Sequence, residues 1–484
     1  MNTLLSKLPQ LSAKNYRFLL QVLGHAFFGI LILWSIIFYK ERMLHFDSAY
    51  YTFNLLYHQD FYIAHGRTIS YASQWMPLLA MKLGCSLKVI LIVYSMSFML
   101  LFYGIYNLIV YGFKNVEGGI FLALAVSLTV RYKFYAGISE VFFSLTLAAL
   151  LIGWLTKNRD QFYRLTSWQN LLIGMLLVLV LTTGHPIIIL PVLSFFAFDI
   201  CYNKRWKDWY NWGLIGFAVS IFYYRFSKIQ GDTGSYESNR FNNAFANLEE
   251  FSGLFELRVW EIIQWYFETQ YTFPVIICAI CIIILIARKK ILSSLVILLS
   301  VVALLAMILV TYSYLSGRIY AMIDGYIGLI GVVLSMPIFY VILKSKQHFL
   351  SVLIITFLLA FNLHRIYGKR DFFQKRQSYI EEIIEKNTQL NQRKLVLRMQ
   401  DFIWDQFWYP WALPYETLLY SSIKHPENAA TIYMAEWNEG EDKWGKLQEV
   451  LPGDGRKIKN LPTKYFKLDE NKPGLITEFP SNYR

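Results

Sequence analysis

The chain has 484 residues, 56% of them hydrophobic and 18% aromatic but only 16% charged, a balance that excludes an ordinary soluble domain and marks a polytopic membrane protein. Its formal charge of +13 does not point to nucleic acid, because Lys and Arg fall in short clusters between hydrophobic runs, where they fix orientation against an anionic leaflet. Cys85, Cys201, Cys278 and Cys281 lie in or beside apolar runs and make neither a disulfide framework nor a zinc site.

The first apolar run follows Lys7, Lys14 and Arg17 and continues to about Tyr39. It is too long for a signal-peptide core and has no small-residue cleavage site, so it reads as a retained transmembrane helix, with His25 as a packing residue inside it. Apolar segments then predict eleven spans: 17–39, 87–111, 118–135, 138–156, 169–183, 186–203, 210–224, 271–287, 291–314, 320–343 and 348–364. With the N-terminus cytoplasmic, strict alternation places Lys114, the segment 157–164, Lys204–Lys207, Arg288–Lys290 and Lys344–Lys346 on the cytoplasmic side. The main basic clusters then obey the positive-inside rule.

The opposite, external side (periplasmic or luminal) receives the loop 40–76, the turns 131–140 and 182–186, the loop 225–270, the turn 316–324 and the chain after about Asn362. This predicts an all-α transmembrane domain over 1–364 and a small external soluble domain over 365–484, where hydrophobic runs stop and charges of both signs mix. A helix is expected near 378–399 and a turn at Pro-Gly-Asp-Gly, 452–455. The chain shows no internal repeat, no Gly-rich phosphate loop, no GxSxG and no HExxH. Any chemistry must therefore be assembled from loops.

The loop Lys40–Arg67 is rich in aromatic, His and acidic residues rather than Gly, Ser and Pro. At helical spacing Asp47, Tyr51, Asn54 and His58 share one face and Phe46, Tyr50, Phe53 and Tyr57 another. An interfacial helix is expected, one face in the lipid headgroups and the other toward a cavity. The external cations are Arg67, Arg131, Lys133, His185, Arg225 and Arg318. Arg binds phosphate oxygens in pairs and Lys supplies a point charge. Arg131 and Lys133 stand out because they share a short turn with Tyr132, Tyr135 and Glu140. The same cations also suit lipid headgroups and snorkelling. His185 sits in a Gly-His-Pro break of the kind that membranes tolerate where backbone lines a cavity.

The helix before the loop, the segment FDSAYY with its early Asp47, the following Arg67, about eleven spans and an external C-terminal domain together resemble the GT-C superfamily of membrane glycosyltransferases. The resemblance implies a polyprenyl-phosphate-linked sugar donor, an acceptor hydroxyl on a protein, lipid or glycan, Asp47 as general base, and inversion by a single displacement. It also implies a second acidic residue, for which Glu140 is the candidate. Tyr51, Asn54, His58, Arg67, Arg131, Lys133 and His185 are the expected substrate and phosphate binders.

Other readings of these residues stand beside this one. Asp47 equally suits the cap of a loop helix, and Glu140 an ion pair with Arg131 or Lys133. Arg318 equally suits a pair with Asp324, and Asp60 a loop position. A divalent metal on His45, Asp47 and Glu140 is compatible with the ligand types. His45 and Asp47 point to different helix faces, however, so no metal site is assigned and the cofactor stays open. The polar segment Gly231–Asn242 reads as a closing loop or a connector, and Trp260, Trp265, Tyr266, Phe267 and Tyr271 as an interfacial belt. The alternatives at the level of function are a transporter or flippase of a lipid-linked or anionic substrate, and a noncatalytic membrane subunit. In a cysteine-free background, single cysteines at positions 235 and 428 should react with an impermeant maleimide added from the external side; cytoplasmic labelling of either would reverse the topology.

Overall fold

The computed structural model describes residues 11–64, 66–157, 166–231, 258–312, 320–389, 393–398, 410–435, 449–451, 456–469 and 474–476. Among them six helices are long and apolar enough to cross a membrane: Ala13–Ile37, Leu87–Gly112, Pro186–Asn203, Ile291–Tyr312, Ile323–Leu343 and His348–Glu385. A bent pair, Val259–Thr269 and Thr272–Ala287, brings the count to seven if it is one span, and Val116–Thr129, Glu140–Leu155 and Ser167–Thr182 are shorter apolar helices. The protein is therefore mostly helical and a multi-pass membrane protein. The structure adds a small parallel sheet that the all-α expectation lacked.

Eight helices hold the residues of interest: α1 (Phe46–His58), α2 (Val116–Thr129), α3 (Glu140–Leu155), α4 (Arg258–Thr269), α5 (Thr272–Ala287), α6 (Tyr320–Ile338), α7 (Arg370–Gln389) and α8 (Leu413–Ser422). The strands are β1 (Lys394–Arg398), β2 (Thr431–Ala435) and β3 (Gly474–Ile476). The chain folds into two compact units that do not follow a linear cut at 364. One comprises Met1–Ile30, Phe102–Lys133 and Glu140–Tyr367; the other comprises Leu31–Leu101, Phe134–Ser139 and Gly368–Arg484.

The first unit is a helical bundle centred on α2. Every residue of α2 except Glu117 is buried, as expected of a helix that is apolar all round and surrounded by other helices. It packs on α3 and α6, and Gly328 and Gly331 of α6 allow the close approach. A Cβ on either glycine would come within 3.0 Å of Thr129 or Leu128. His25 is a satisfied packing residue, its two ring nitrogens hydrogen-bonded to the Tyr103 and Tyr111 hydroxyls at 2.9 and 2.7 Å. In α4, Val259, Ile262, Ile263 and Tyr266 are buried, an i, i+3, i+4, i+7 stripe that turns inward. The 77° bend then directs α5 away. Tyr266 and Tyr271 lie inside this unit rather than in an interfacial belt.

In the second unit the three strands are parallel in the order β2-β1-β3, with Leu395 opposite Ile432 and Leu397 opposite Met434. The period of two in KLVLR places Leu395 and Leu397 in a cluster with Ile380, Ile383, Leu413, Ile432 and Met434, and Val396 on the other face with Ala435. This is why the helix expected to run to 399 ends at Gln389: the segment after it is a central strand buried on both faces. Residues 452–455 lie outside the described residues. Their flanks pair antiparallel, with Leu451 N donating to Arg456 O at 2.7 Å.

The first loop belongs to this unit and is tied to its C-terminal part by ions. Arg376 of α7 grips Glu416 of α8 with both partners fully buried, the closest N–O distance being 2.7 Å. Glu416 also accepts from the Phe46 backbone N–H at 2.8 Å. Nearer the start of the loop, Glu41 pairs with Arg370 at 3.1 Å. Arg42, fully buried, donates to the Ser95 side chain and carbonyl and to the Phe134 carbonyl.

Burial pushes the Glu416 carboxyl above the ordinary glutamate range, against the opposing pull of Arg376. Its ionised form is therefore a cost of folding that Arg376 offsets. Removing one partner of such a pair costs about 3–5 kcal/mol. Arg376→Ala should therefore lose folded second unit in detergent thermal unfolding, and the double replacement Arg376→Met with Glu416→Leu should recover much of the loss. Equal stability of wild type and Arg376→Ala would show the pair to be structurally idle.

Candidate functional site

The sequence-predicted residues fall into two groups, one in each unit. In the second unit they lie on α1. Its N-cap is His45 and not Asp47, and Phe46, the first helical residue, has a left-handed backbone with φ 48. A bulky residue in that region is disfavoured and has to be held there. Here Glu416 takes its N–H and the Arg376 guanidinium lies 4.6 Å from the centre of its ring.

Asp47 therefore stands in the first turn, exposed, where the positive end of the helix favours a carboxylate. Tyr51 and Asn54, expected on the same open face, are buried. Asn54 Nδ2 donates to the Tyr50 carbonyl at 2.7 Å, and the Tyr51 ring meets Tyr50 and Tyr62. His58, at the far end, is exposed and stacks on Tyr62 with ring centres 5.7 Å apart.

The aromatic face is not lipid-anchored. Phe53 packs on Tyr415 and Phe466, Tyr50 on Trp411 and Tyr415, and Phe46 on Phe373. The C-terminal segment supplies apolar partners that the loop alone does not show, so α1 is a core helix of its unit. Arg67 is mostly buried and precedes the short helix Thr68–Ser70. Asp60 turns back on the chain, its Oδ1 accepting from Phe61 N at 2.7 Å. His65 lies outside the described residues.

His45 is fully buried between Phe46 and Phe373, with Arg376 and Gln377 of α7 beside it. Burial first, and the Arg376 charge second, hold its imidazole well below the ordinary histidine value of 6.5. Among the described residues no group of three or more His, Cys, Asp or Glu could hold a metal ion.

In the first unit Arg131, Lys133 and His185 gather around the start of α6. Arg131 is buried, its guanidinium carbon 3.9 Å from the centre of the Tyr271 ring and its Nη2 donating to the Leu128 carbonyl at 2.7 Å. Tyr271 donates to the same carbonyl at 2.8 Å. Lys133 N donates to Asp324 Oδ2 at 3.2 Å, and the Lys133 side chain lies over Gly325. The Tyr266 hydroxyl hydrogen-bonds to Asp324 as well.

His185 caps the short helix Pro186–Ile188, its Nδ1 accepting from Ile187 N at 3.3 Å, and its ring meets Tyr326 edge-on at 6.0 Å. The break there is tight. A Cβ at Gly184 would meet Ser144 Oγ at 2.1 Å, while Arg225 Nη1 donates to the Gly184 carbonyl at 2.7 Å. Glu140 is half-buried at the first turn of α3, its carbonyl accepting from Ser144 Oγ at 2.7 Å. Arg318 and residues 232–242 of the polar loop lie outside the described residues; Asp324 meets the Arg131–Lys133 turn.

Sequence reasoning missed Arg365, which follows the last apolar run and lies within electrostatic range of Arg131. The buried Nε and Nη1 of Arg131, Nε and Nη2 of Arg365, and Oδ1 of Asp324 have no hydrogen-bond partner among the described residues. A buried polar group without a partner costs about 1–3 kcal/mol, more if charged, so four such donors on two guanidinium groups mark a place suited to an anion. A signal was available in the sequence: an Arg one residue beyond the predicted end of the last span.

No protein-family model matches the chain, and comparison with curated proteins and with solved structures likewise finds no match.

Because the folded His45 stays neutral and the unfolded one titrates at its ordinary value, its contribution to stability is present above about pH 6.5 and lost as pH falls. Thermal unfolding of wild type should therefore weaken between about pH 7 and pH 5. His45→Asn should flatten that dependence; an unchanged slope would remove His45 as its source.

Proposed function

We propose that the chain is an integral-membrane glycosyltransferase of GT-C type that moves a sugar from a polyprenyl-phosphate carrier to an acceptor hydroxyl on the external face. The observation that carries this reading is the pair of guanidinium groups, Arg131 and Arg365, whose buried N–H donors find no acceptor among the described residues. A membrane bundle that keeps such donors suits a phosphate-bearing lipid substrate. The reading includes eleven spans, a cytoplasmic N-terminus and an external C-terminal domain. Helices occur at each of the eleven predicted positions, including Trp209–Gly231.

Transfer needs a carboxylate to take the acceptor proton, and Asp47 is the candidate. The hydroxyl oxygen attacks the anomeric carbon, Asp47 receives its proton, and the bond from that carbon to the phosphate oxygen breaks, so that the polyprenyl phosphate leaves with the electron pair. Cations that stabilise the leaving phosphate are the second need. Arg131, Arg365 and Lys133 are the candidates, with His185 and Arg67 in support and Glu140 as the auxiliary acid. Asp47 as the exposed carboxylate of an otherwise mostly buried helix supports its role. A transporter of the same lipid-linked anion would use the same arginines but would not consume the donor.

With purified protein and a panel of polyprenyl-phosphate sugars, Asp47→Asn should lower kcat by about 100-fold or more with donor affinity kept. Asp60→Asn should leave the rate unchanged, and Arg131→Met should weaken donor binding. Equal turnover by wild type and Asp47→Asn would remove Asp47 as base, and retention of every donor intact alongside uptake into vesicles would favour transport.

A further inference from the structure

A second cation cluster lies in the first unit and includes no residue of the Arg131 turn. Arg17, Lys114, Lys157, Arg205 and Lys344 line one cavity of about 440 Å³ together with the carboxylates Glu117 and Asp199. Each of the five cations sits at or just beyond the end of an apolar helix: near the start of Ala13–Ile37, or past Gly112, Leu155, Asn203 or Leu343. They therefore gather at one end of the bundle, the level at which lipid headgroups meet a membrane protein.

The two carboxylates offset only part of this charge, and both are already engaged. Asp199 accepts from Asn203 at 2.6 Å, from Arg205 at 3.1 Å and from the Tyr340 hydroxyl. Glu117 pairs with Arg17 at 3.7 Å. Five cations against two carboxylates leave an excess of three positive charges around the cavity. Asn115 is occupied structurally, capping α2 through Gly118 N at 2.9 Å and donating to the Gly153 carbonyl at 2.9 Å, so the rim on which Lys114 stands is fixed.

Lys114 has a left-handed backbone, φ 53, in the turn after Gly112. Glycine would suit that position without a steric cost, yet the chain places a cation there. Lys344 lies over the Tyr340 and Phe339 rings at 4.5 and 4.7 Å, and Lys157 is over Trp154. Aromatic surfaces next to lysines supply the apolar-and-charged lining that a lipid headgroup and its first acyl carbons require.

We propose that this cavity binds the phosphate of an anionic phospholipid headgroup, one carrying more than a single negative charge. Under the topology above, the lipid would come from the cytoplasmic leaflet. Lys114 and Lys344 are the cations that meet the headgroup, while Arg205 and Arg17 hold the carboxylates in place. Free phosphate has the same oxygen chemistry but no acyl chains to seat beside the rings.

The test uses the full-length protein in detergent, read by native mass spectrometry and by thermal unfolding, with cardiolipin, phosphatidylcholine and inorganic phosphate as probes at matched phosphorus. Wild type should retain cardiolipin and melt higher with it, and show neither effect with phosphatidylcholine or inorganic phosphate. Lys114→Gln with Lys344→Gln should weaken cardiolipin retention at least tenfold while melting like wild type in phosphatidylcholine. Lys114→Arg with Lys344→Arg should restore it. Equal retention by wild type and the Gln variant, or the same shift with inorganic phosphate as with cardiolipin, would overturn the proposal.

Discussion

The second unit depends on one buried ion pair. Arg376 and Glu416 are both fully enclosed, and the carboxylate also takes the Phe46 N–H. Two charges removed from water at this depth are tolerable only because each is met by several directed bonds. The arrangement joins three distant stretches of chain, one from the first loop, one from α7 and one from α8. It also holds Phe46 in a backbone region that phenylalanine otherwise avoids, which in turn sets where α1 begins and why Asp47 emerges at its first turn. The exposure of the candidate base thus follows from a pair that is itself out of reach of solvent.

The first unit handles charge in the opposite way. There the arginines are not neutralised bond for bond. Arg131 has one carbonyl and one aromatic face, with the Asp324 charge in range, and among the described residues donors on it and on Arg365 lack acceptors. The carboxylate nearby, Asp324, takes the Lys133 backbone N–H and the Tyr266 hydroxyl. In a low-dielectric bundle this is an expensive way to leave cations unless an anionic substrate supplies the remaining acceptors. The cavity around Lys114 and Lys344 repeats the theme at a bundle end, with its carboxylates already committed and its lysines set beside rings.

Both sites use backbone that the sequence marks only faintly. The Gly184-His185-Pro186 break was legible as a break. That a Cβ at Gly184 would run into Ser144 Oγ was not, since the two are 40 residues apart in the chain. Likewise the stripe Val259, Ile262, Ile263, Tyr266 was present in the sequence. Its direction was decided by the 77° bend, which places Tyr271 under Arg131.

By itself, the sequence determined the membrane class, the helices at each apolar run, His25 as a packing residue and the helical periodicity of 46–58, because these follow from local hydropathy and spacing. It also singled out the Arg131–Lys133 turn. Only the tertiary structure decided that both faces of α1 are covered, that Tyr51 and Asn54 are buried while Asp47 and His58 are not, that the residues after Gln389 form a parallel strand, and that Arg365 joins Arg131. Each of these depends on a partner far away in the chain. Burial is a property of what covers a side chain, and a helix that reads as amphipathic on its own carries no record of the segment, some 370 residues later, that closes over it.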